Sequence, residues 1–297
     1  MTVSFWFCLV IVNLLGHGDI TPNQCPRKPA PLHKQDELNL ARDLQKAIGS
    51  RSVEEVTRND LQKIISGIVD RGAYVQAQRT RSTIRKMFRW AEQEQIIKEN
   101  PALTLSPLKN RQSKTRVLSL EEILVLWANI DSEKRLPKVI GIILKIILLT
   151  GVRPGEAIKI YKKYAGASWV LLDSRETKNK NPHRVYLSSL AKGLFESIDD
   201  DSTLSSDPKY KIENYTLSSW IRRLNYLGLE KWSPHDLRRS CATMLAQQGT
   251  ELHIIKKVLN HSDSDITSSV YVIYMYDEQI KSALDILSEK IKENLHA

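Results

Sequence analysis

Apolar residues recur at helical spacing along most of this chain, and the helical stretches begin at recognisable caps. Thr57 stands three residues before Asp60, and apolar side chains follow at every third or fourth position up to Gly72. This pattern predicts a capped helix that ends at the glycine. A second helix is predicted over residues 73–95. Its apolar side is expected to consist of Ile84, Met87, Phe88 and Ala91.

The helical pattern restarts at Leu118, where Ser119 and Glu122 have the spacing of a capping box. Residues 139–150 are apolar on nearly every side, which is typical of a helix buried in the middle of a domain. This run is too short to span a bilayer. It therefore predicts the central helix of a second domain.

Two short runs, residues 169–173 and 184–188, have the composition of strands and flank the turn-rich sequence TKNKNPH. They predict a β-hairpin whose tip carries Lys178 and Lys180. The fold class predicted for the chain is therefore mainly α with a small β-hairpin.

A further helix is predicted to start at Ser233, with Pro234 in its first turn, and to stop at Gly249. His235 and Arg238 are three residues apart, so both project from one flank of the first turn. Free backbone N–H groups at that end also favour an anion.

The helix after it is expected to begin at Thr250, to deliver His261 at its end, and to be followed by a helix that presents Tyr271. The residues expected to face inward from the first of these are Leu252, Ile255, Val258 and Leu259.

The second predicted helix carries a row of basic side chains. Arg81, Arg85 and Arg89 recur at every fourth residue, and Arg79 and Lys86 bring the total to five basic residues with no acid among them. A solvated helix face has a similar composition. The absence of acids favours contact with phosphates, and we call these five residues the basic row.

Composition agrees with a polyanionic partner. The 297 residues include 44 Lys and Arg against 34 Asp and Glu, a net charge of +10. Basicity alone does not separate DNA from RNA or a membrane surface. The three cysteines are odd in number and lack metal-ligand spacing, which argues against a disulfide framework and favours a cytoplasmic location.

The N-terminal residues 1–33 are expected to be poorly ordered or foreign to the fold. They include SFWFCLVIVNLL, which has the composition of a signal-peptide core. No Lys or Arg precedes it, and it is too short to span a bilayer, so secretion and membrane anchoring are disfavoured.

Each polar residue singled out above also has an ordinary structural explanation. A His-x-x-Arg pair is usually a surface pair, and a tyrosine in an amphipathic helix usually packs. The combination points to phosphoryl transfer, which without a metal needs cations for the phosphate oxygens, a proton donor and an oriented nucleophile. Arginine suits the first task because its planar fork binds two phosphate oxygens and stays charged.

Five motifs resemble, in order, the active-site motifs of the tyrosine recombinases, particularly phage-type integrases: TGVRPGEA, TKNKNPHRVYLS, HDLRRS, LNHS and the VY that follows. The likeness covers residues 115–285. Residues 56–102 are similar to the second half of that family's helical core-binding domain. The resemblance implies a partial SAM-like core-binding domain at 34–106, a linker at 107–116 and an α+β catalytic domain at 117–297.

By this resemblance Arg153 and Arg238 are the phosphate-binding arginines, and Lys178 is the general acid towards the leaving 5′ oxygen. His235 would assist proton transfer and orient the phosphate. His261 would donate a hydrogen bond to the phosphate.

Tyr271 is the implied nucleophile. Tyr274 and Tyr276 lie close to it in sequence, and the spacing from His261 is one residue longer than in most relatives. Tyr271 is preferred because it follows Val in the integrase-like run, and Tyr274 is the alternative.

Two other assignments stay open. Lys180 is expected to contact DNA and is the alternative to Lys178, since a flexible hairpin can bring either amine to the phosphate. Glu156 is expected either to support the arginine-bearing helix or to be an ordinary surface acid.

The resemblance implies cleavage of duplex DNA through a 3′-phosphotyrosine, with neither metal nor cofactor nor ATP. It also implies a homo-tetramer on two DNA sites, together with accessory DNA-bending or directionality proteins. The C-terminal helix, residues 277–291, would dock either on a neighbouring subunit or on its own domain.

Few residues separate the Pro-rich connector from LQKAIGSRSVEEVT, which begins at Leu44, and this leads us to expect an N-terminally truncated integrase that cleaves DNA but recombines poorly. Two alternatives share the same residues. One is a DNA-binding remnant of a mobile element that no longer recombines, and the other is a type IB topoisomerase.

Overall fold

The computed structural model divides into two compact units, Met1–Gln112 and Ser113–Ala297. Residues 1–33, for which poor order was expected, lie outside the described part of the chain. The structure describes residues 43–44, 46–48, 51–108, 116–164, 166–197, 212, 214–261 and 276–296.

Two long helices pack together in the described part of the first unit. Helix α1 (Arg58–Asp70) begins at the predicted cap, where the backbone N–H of Thr57 donates to the Asp60 carboxylate at 2.9 Å. Helix α2 (Tyr74–Gln93) starts one residue later and ends two earlier than predicted, and it packs against α1. The expected apolar side is confirmed, since its buried side chains include Ile84, Met87, Phe88 and Ala91.

The second unit is mostly helical and contains one hairpin. Its elements are α3 (Leu120–Ser132), α4 (Lys138–Thr150), α5 (Pro154–Lys163), β1 (Trp169–Leu172), β2 (His183–Tyr186), α6 (Ser189–Glu196), α7 (Asn214–Arg223), α8 (Pro234–Gln247), α9 (Leu252–Val258) and α10 (Asp277–His296).

Helix α4 is the centre of this unit, as its sequence predicted. Every residue from 139 to 150 is buried, and the helix packs against α3, α5, α6, α8 and α10. Lys145 is buried as well, and its ammonium pairs with Asp131 and lies 4.4 Å from the centre of the Trp127 ring. Burial of each large aliphatic side chain contributes roughly 1.5–3 kcal/mol, so α4 is the main source of stability for the elements around it.

The two strands form an antiparallel pair in which Trp169 faces Tyr186. The second strand ends two residues earlier than predicted because Ser188 caps α6, its Oγ accepting from the backbone N–H of Ala191 at 3.3 Å. The predicted hairpin is confirmed, and residues 173–182 form its connecting loop.

Helix α8 begins where the sequence predicted, with the backbone N–H of Ser233 donating to the Asp236 carboxylate at 2.9 Å. Helix α9 begins at Leu252 rather than Thr250, and the expected inward position of Leu252 is wrong. The Leu252 side chain is 68% exposed. Ile254 is two residues further along, on the opposite side of the helix, and it is the residue that is buried.

Helix α10 packs on its own domain, which is one of the two expected placements. Its inward residues belong to the same apolar cluster as α4. Tyr186 donates to Asp285 at 3.0 Å, and Arg184 pairs with Asp277 at 2.5 Å, so the hairpin and α10 are joined at two points. Within the described residues, no helix is both long and apolar enough to cross a bilayer.

Candidate active site

The site begins at the tight turn between α4 and α5. Gly151 ends α4 with a φ of +65°, a conformation that glycine adopts without strain. A Cβ at this position would also lie 3.1 Å from Cys241 Sγ and 3.1 Å from a Leu259 methyl group. The turn therefore requires glycine for two reasons, and it sets Arg153 as the N-cap of α5.

Arg238 crosses from α8 to this turn and is 4% exposed. One terminal nitrogen, Nη1, donates to the carbonyl of Gly151 at 2.9 Å, and Nη2 donates to the carbonyl of Leu259 at 2.7 Å. Burial first, and the nearby charge of Arg153 second, lower the pKa of Arg238 to about 10. The side chain therefore stays charged at neutral pH and is held in one orientation.

Arg153 is fixed by a buried carboxylate. Its Nη1 donates to Glu156 Oε1 at 2.9 Å, and its Nη2 lies 3.5 Å from the carbonyl of Asn260. Glu156 is 2% exposed, and His183 Nδ1 lies 3.7 Å from its other oxygen. Burial raises the pKa of Glu156, but the His183 and Arg153 side chains outweigh it and hold the value at about 2. Of the two roles expected for Glu156, the structure shows the supporting one.

The two arginines converge on consecutive carbonyls. Arg238 binds the carbonyl of Leu259 and Arg153 approaches that of Asn260, directly before His261. A guanidinium has five N–H groups, so donors remain on both side chains after these contacts. The remaining N–H groups are chemically able to donate to an anion such as a phosphate.

His235 and His261 complete the cationic region. Burial comes first in lowering the pKa of each imidazole, followed by the charge of Arg239 for His235 and of Arg238 for His261. Both histidines are therefore neutral at pH 7 and each has one ring nitrogen free to accept a proton. His261 directly follows Asn260, whose carbonyl faces Arg153, and His235 stands three residues before Arg238 on α8, so these histidines and arginines share one region.

The hairpin tip reaches the same region through asparagines. Asn179 Nδ2 donates to the carbonyl of Asn260 at 2.7 Å, and Asn260 Nδ2 donates to the carbonyl of Asn181 at 3.2 Å. Lys178 and Lys180 flank Asn179 and are exposed, and neither amine has a hydrogen bond or ion pair within the described residues.

The sequence reasoning missed Asn179 and Asn260. An asparagine just after a helix is a signal for a positive-φ position, which Asn260 occupies.

The structure thus brings together four of the six expected catalytic positions, and the hairpin lysines stand on a loop that is hydrogen-bonded to Asn260, the residue before His261. Tyr271 and its alternative Tyr274 lie outside the described residues.

A model of the phage integrase family matches residues 116–277, and a model of the phage integrase central domain matches residues 23–107. The chain belongs to the phage integrase family. This confirms the resemblance found in the motifs, and the expected class of enzyme, a tyrosine-type site-specific recombinase, is confirmed with it.

Individual members of this family are also similar in sequence to this chain. The chain is 23% identical to tyrosine recombinase XerD of Staphylococcus haemolyticus, over 72% of this chain and 78% of that protein. It is 22% identical to the integrase of Enterobacteria phage 434, over 79% and 68%.

The fold is also similar to that of a lambda integrase dimer bound to a core site. The TM-score is 0.60 at 16% identity, and the match covers 89% of this chain and 96% of that one. The Tn1549 transposon integrase in complex with circular intermediate DNA gives 0.57 at 14% identity, over 96% and 99%. The mainly helical fold with a small hairpin is thereby confirmed.

The basic row lies in the part of the chain that matches the integrase central domain. Arg79, Lys86 and Arg89 are exposed and Arg85 is partly exposed. Arg81 differs, because its Nη2 donates to the carbonyl of Leu105 at 2.8 Å and its Nε is buried. This guanidinium braces the chain after α2, so four of the five side chains are left for an external partner.

Neither a metal nor a cofactor was expected for this integrase-family chain. Among the described residues, no three His, Cys, Asp or Glu side chains are grouped as a metal site would require. The expectation of metal-independent chemistry stays a prediction.

Proposed function

We propose that this chain cleaves and rejoins duplex DNA at specific sites through a covalent 3′-phosphotyrosine intermediate. One observation carries the proposal, namely that the guanidinium groups of Arg153 and Arg238 converge on the Leu259 and Asn260 carbonyls with donors to spare. Two oriented cations beside a phosphodiester stabilise the charge that grows on its non-bridging oxygens during attack.

The reaction proceeds by in-line displacement at phosphorus. The hydroxyl of Tyr271 attacks, the bond from phosphorus to the 5′ oxygen breaks, and the 3′ side of the strand stays on the tyrosine. Lys178, or Lys180 in its place, gives a proton to the leaving 5′ oxygen. The neutral imidazole of His235 takes the proton of the tyrosine, a role that its lowered pKa suits at neutral pH.

Rejoining is the same displacement in reverse. The phosphotyrosine ester retains the energy of the broken diester, so the 5′ hydroxyl of a second strand attacks it without ATP. Two such exchanges through a four-way junction require a homo-tetramer on two duplex sites. A lambda integrase tetramer bound to a Holliday junction, a fold relative of this chain, supports this arrangement.

The basic row is proposed to grip the DNA backbone outside the cleavage site. We expect its exposed side chains to neutralise backbone phosphates, which contributes affinity rather than sequence choice. A cytoplasmic location and accessory DNA-bending or directionality proteins stay predictions.

The experiment that tests the proposal is covalent capture. The chain is incubated with a library of nicked duplexes randomised over about one helical turn on each side of the nick, which is about 10 base pairs. A strand cut near the nick loses a short fragment, so the reaction stops at the protein-linked stage. Adducts that survive denaturation are isolated and sequenced, and we expect one core sequence to dominate.

Matched tyrosine variants identify the nucleophile. Tyr271→Phe is expected to abolish the adduct, and Tyr274→Phe is expected to retain it; the reverse result would move the nucleophile to Tyr274. DNA binding without any adduct from the unsubstituted chain would contradict the proposal and identify a DNA-binding remnant.

A further inference from the structure

The hairpin tip is joined to the turn before His261 by a reciprocal asparagine contact. Asn179 Nδ2 donates to the Asn260 carbonyl at 2.7 Å, and the Asn260 amide lies 3.4 Å from Asn179 Oδ1 and 3.2 Å from the Asn181 carbonyl. The two asparagines are 81 residues apart in sequence. We call this contact the asparagine clasp.

Backbone conformation suits Asn260 to this contact. Its φ is +46°, in the left-handed region that asparagine tolerates better than most side chains do. In this conformation its carbonyl accepts from Asn179 and also faces Arg153 Nη2 at 3.5 Å. One oxygen atom therefore links the hairpin tip to the first phosphate-binding arginine.

Asn260 is the main external partner of the hairpin tip, residues 177–182, within the described residues, while Lys159 and Lys163 bind Glu176 directly before the tip. Within the part of the chain that the structure describes, the hydrogen bonds of residues 177–182 that leave the hairpin all go to Asn260. The others are internal, such as the bond from Thr177 Oγ1 to the Asn181 carbonyl at 2.7 Å. Lys178 and Lys180 stand on either side of Asn179 and are exposed.

We propose that Asn179 and Asn260 are positioning residues that hold the hairpin lysine over the phosphate bound by Arg153 and Arg238. This inference rests on the proposed function. The clasp is expected to affect protonation of the leaving 5′ oxygen rather than DNA binding, because it fixes the backbone on which the lysine stands. Its contact with Arg153 is made by the main-chain carbonyl of Asn260, which substitution of the Asn179 side chain leaves in place. A displacement of about 1 Å at the lysine is enough to slow proton transfer on the order of 100-fold.

The test compares two nicked duplexes that carry the captured core site. They differ in one atom, the bridging 5′ oxygen at the cleaved bond, which is sulfur in the second duplex. When the phosphorus–sulfur bond breaks, sulfur leaves as a thiolate and needs no proton at neutral pH. Asn179→Ala is expected to slow cleavage of the oxygen duplex at least about 10-fold and of the sulfur duplex less than about 3-fold, since general-acid catalysis is lost only in the first.

Two further variants act as matched controls. Asn181→Ala removes an exposed amide from the same loop but keeps the backbone carbonyl that Asn260 binds, and it is expected to cleave both duplexes at the unsubstituted rate. Asn260→Gly keeps the positive φ and the carbonyl that Asn179 and Arg153 face, and loses only the side-chain amide. Its effect on the oxygen duplex is expected to be smaller than that of Asn179→Ala.

Double variants show which lysine the clasp positions. If it acts through Lys178, Asn179→Ala has no further effect in a Lys178→Ala background, and it keeps its full effect beside Lys180→Ala. The opposite pattern assigns the clasp to Lys180 and still supports the inference. Additive effects with both lysines would overturn it.

Other outcomes separate the inference from the proposed function. Equal slowing on the oxygen and sulfur duplexes, or weaker DNA binding in Asn179→Ala, overturns the clasp alone. If the unsubstituted chain forms no adduct with either duplex, the proposed function fails and the inference fails with it.

Discussion

Two sets of arginines in this chain show how one residue type serves two purposes. Arg153 and Arg238 in the second unit are largely buried and bound to main-chain carbonyls and Glu156. Arg79 and Arg89 of the basic row are exposed on α2 and have no acidic partner within the described residues. The first pair is oriented before any ligand arrives, and the second set must be ordered by its ligand.

The two sets differ in the stage at which the cost of ordering the guanidinium arises, during folding for the buried pair and during DNA binding for the exposed set. Burying a guanidinium costs several kcal/mol of hydration, which carbonyls and a carboxylate offset during folding. A phosphate bound at the proposed site would then meet donors that need no reorganisation, which would favour catalysis. An exposed arginine loses side-chain freedom only on binding, so each contact adds little affinity and is weakened by salt.

The largest effect is expected at Arg238. Arg238→Ala removes one phosphate fork and leaves the carbonyls of Gly151 and Leu259 without their donor. Cleavage should slow about 100-fold to 1,000-fold, as measured by adduct formation on the nicked core site. Arg238→Lys is the matched control, since it keeps the charge but not the fork, and it should recover part of the rate. Cleavage by Arg238→Ala within a few-fold of the unsubstituted chain would show that the convergence is incidental.

The second-largest effect is expected from Glu156→Gln, as a loss of folding stability. This substitution removes the carboxylate that supports Arg153 and leaves the Arg153 guanidinium in place. The pKa of Glu156 in the folded chain is about 2, below its ordinary value of 4.5. Its contribution to stability is therefore complete above pH 4.5 and is lost as the pH falls towards 2. The contribution is on the order of 3 kcal/mol.

Urea unfolding at several pH values measures this contribution. The variant should be less stable than the unsubstituted chain at pH 7, and the difference should narrow between pH 4.5 and 2. A difference that stays constant over this range would mean that the carboxylate charge does not hold the arginine.

The pH dependence of cleavage should distinguish the buried region from the exposed row. Because the pKa values of His235 and His261 are lowered, the rate should stay constant as the pH falls to the ordinary histidine value of 6.5. Below that value His235, the proposed base, becomes protonated, and the rate should fall with a limiting slope of about 10-fold per pH unit. His253→Ala, at an exposed histidine of α9, should leave this profile unchanged. An acid limb centred above pH 6.5 would contradict the electrostatics of the site.

The smallest effect is expected in the basic row. Arg85→Ala should weaken binding several-fold to all duplexes alike, and the slope of log affinity against log salt should fall by about 1. Arg81→Ala should instead lower the stability of the first unit, because its guanidinium holds the Leu105 carbonyl. Gel-shift titrations at several salt concentrations and thermal unfolding separate the two. A loss of affinity confined to one base pair would make Arg85 a base reader.

The sequence by itself determined the elements and the class of chemistry. The caps at Thr57, Ser119 and Ser233 are hydrogen bonds between residues three apart in sequence. The burial of α4 follows from its all-round apolar pattern. Both features can therefore be predicted from a short stretch of sequence. The order of the five motifs indicated the family because the residue types of an active site survive in short sequence stretches.

The tertiary structure alone decided which groups meet. Arg238 binds a carbonyl 87 residues away, Asn179 finds Asn260 across 81 residues, and α10 settles on its own domain. Leu252 lies outside the core because Ile254, on the opposite side of α9, occupies the buried position, although both residues are apolar. Periodicity and caps depend on the local sequence, whereas long-range pairs depend on how whole helices pack. Every residue type has a backbone carbonyl, so the sequence does not indicate which carbonyl will accept a hydrogen bond.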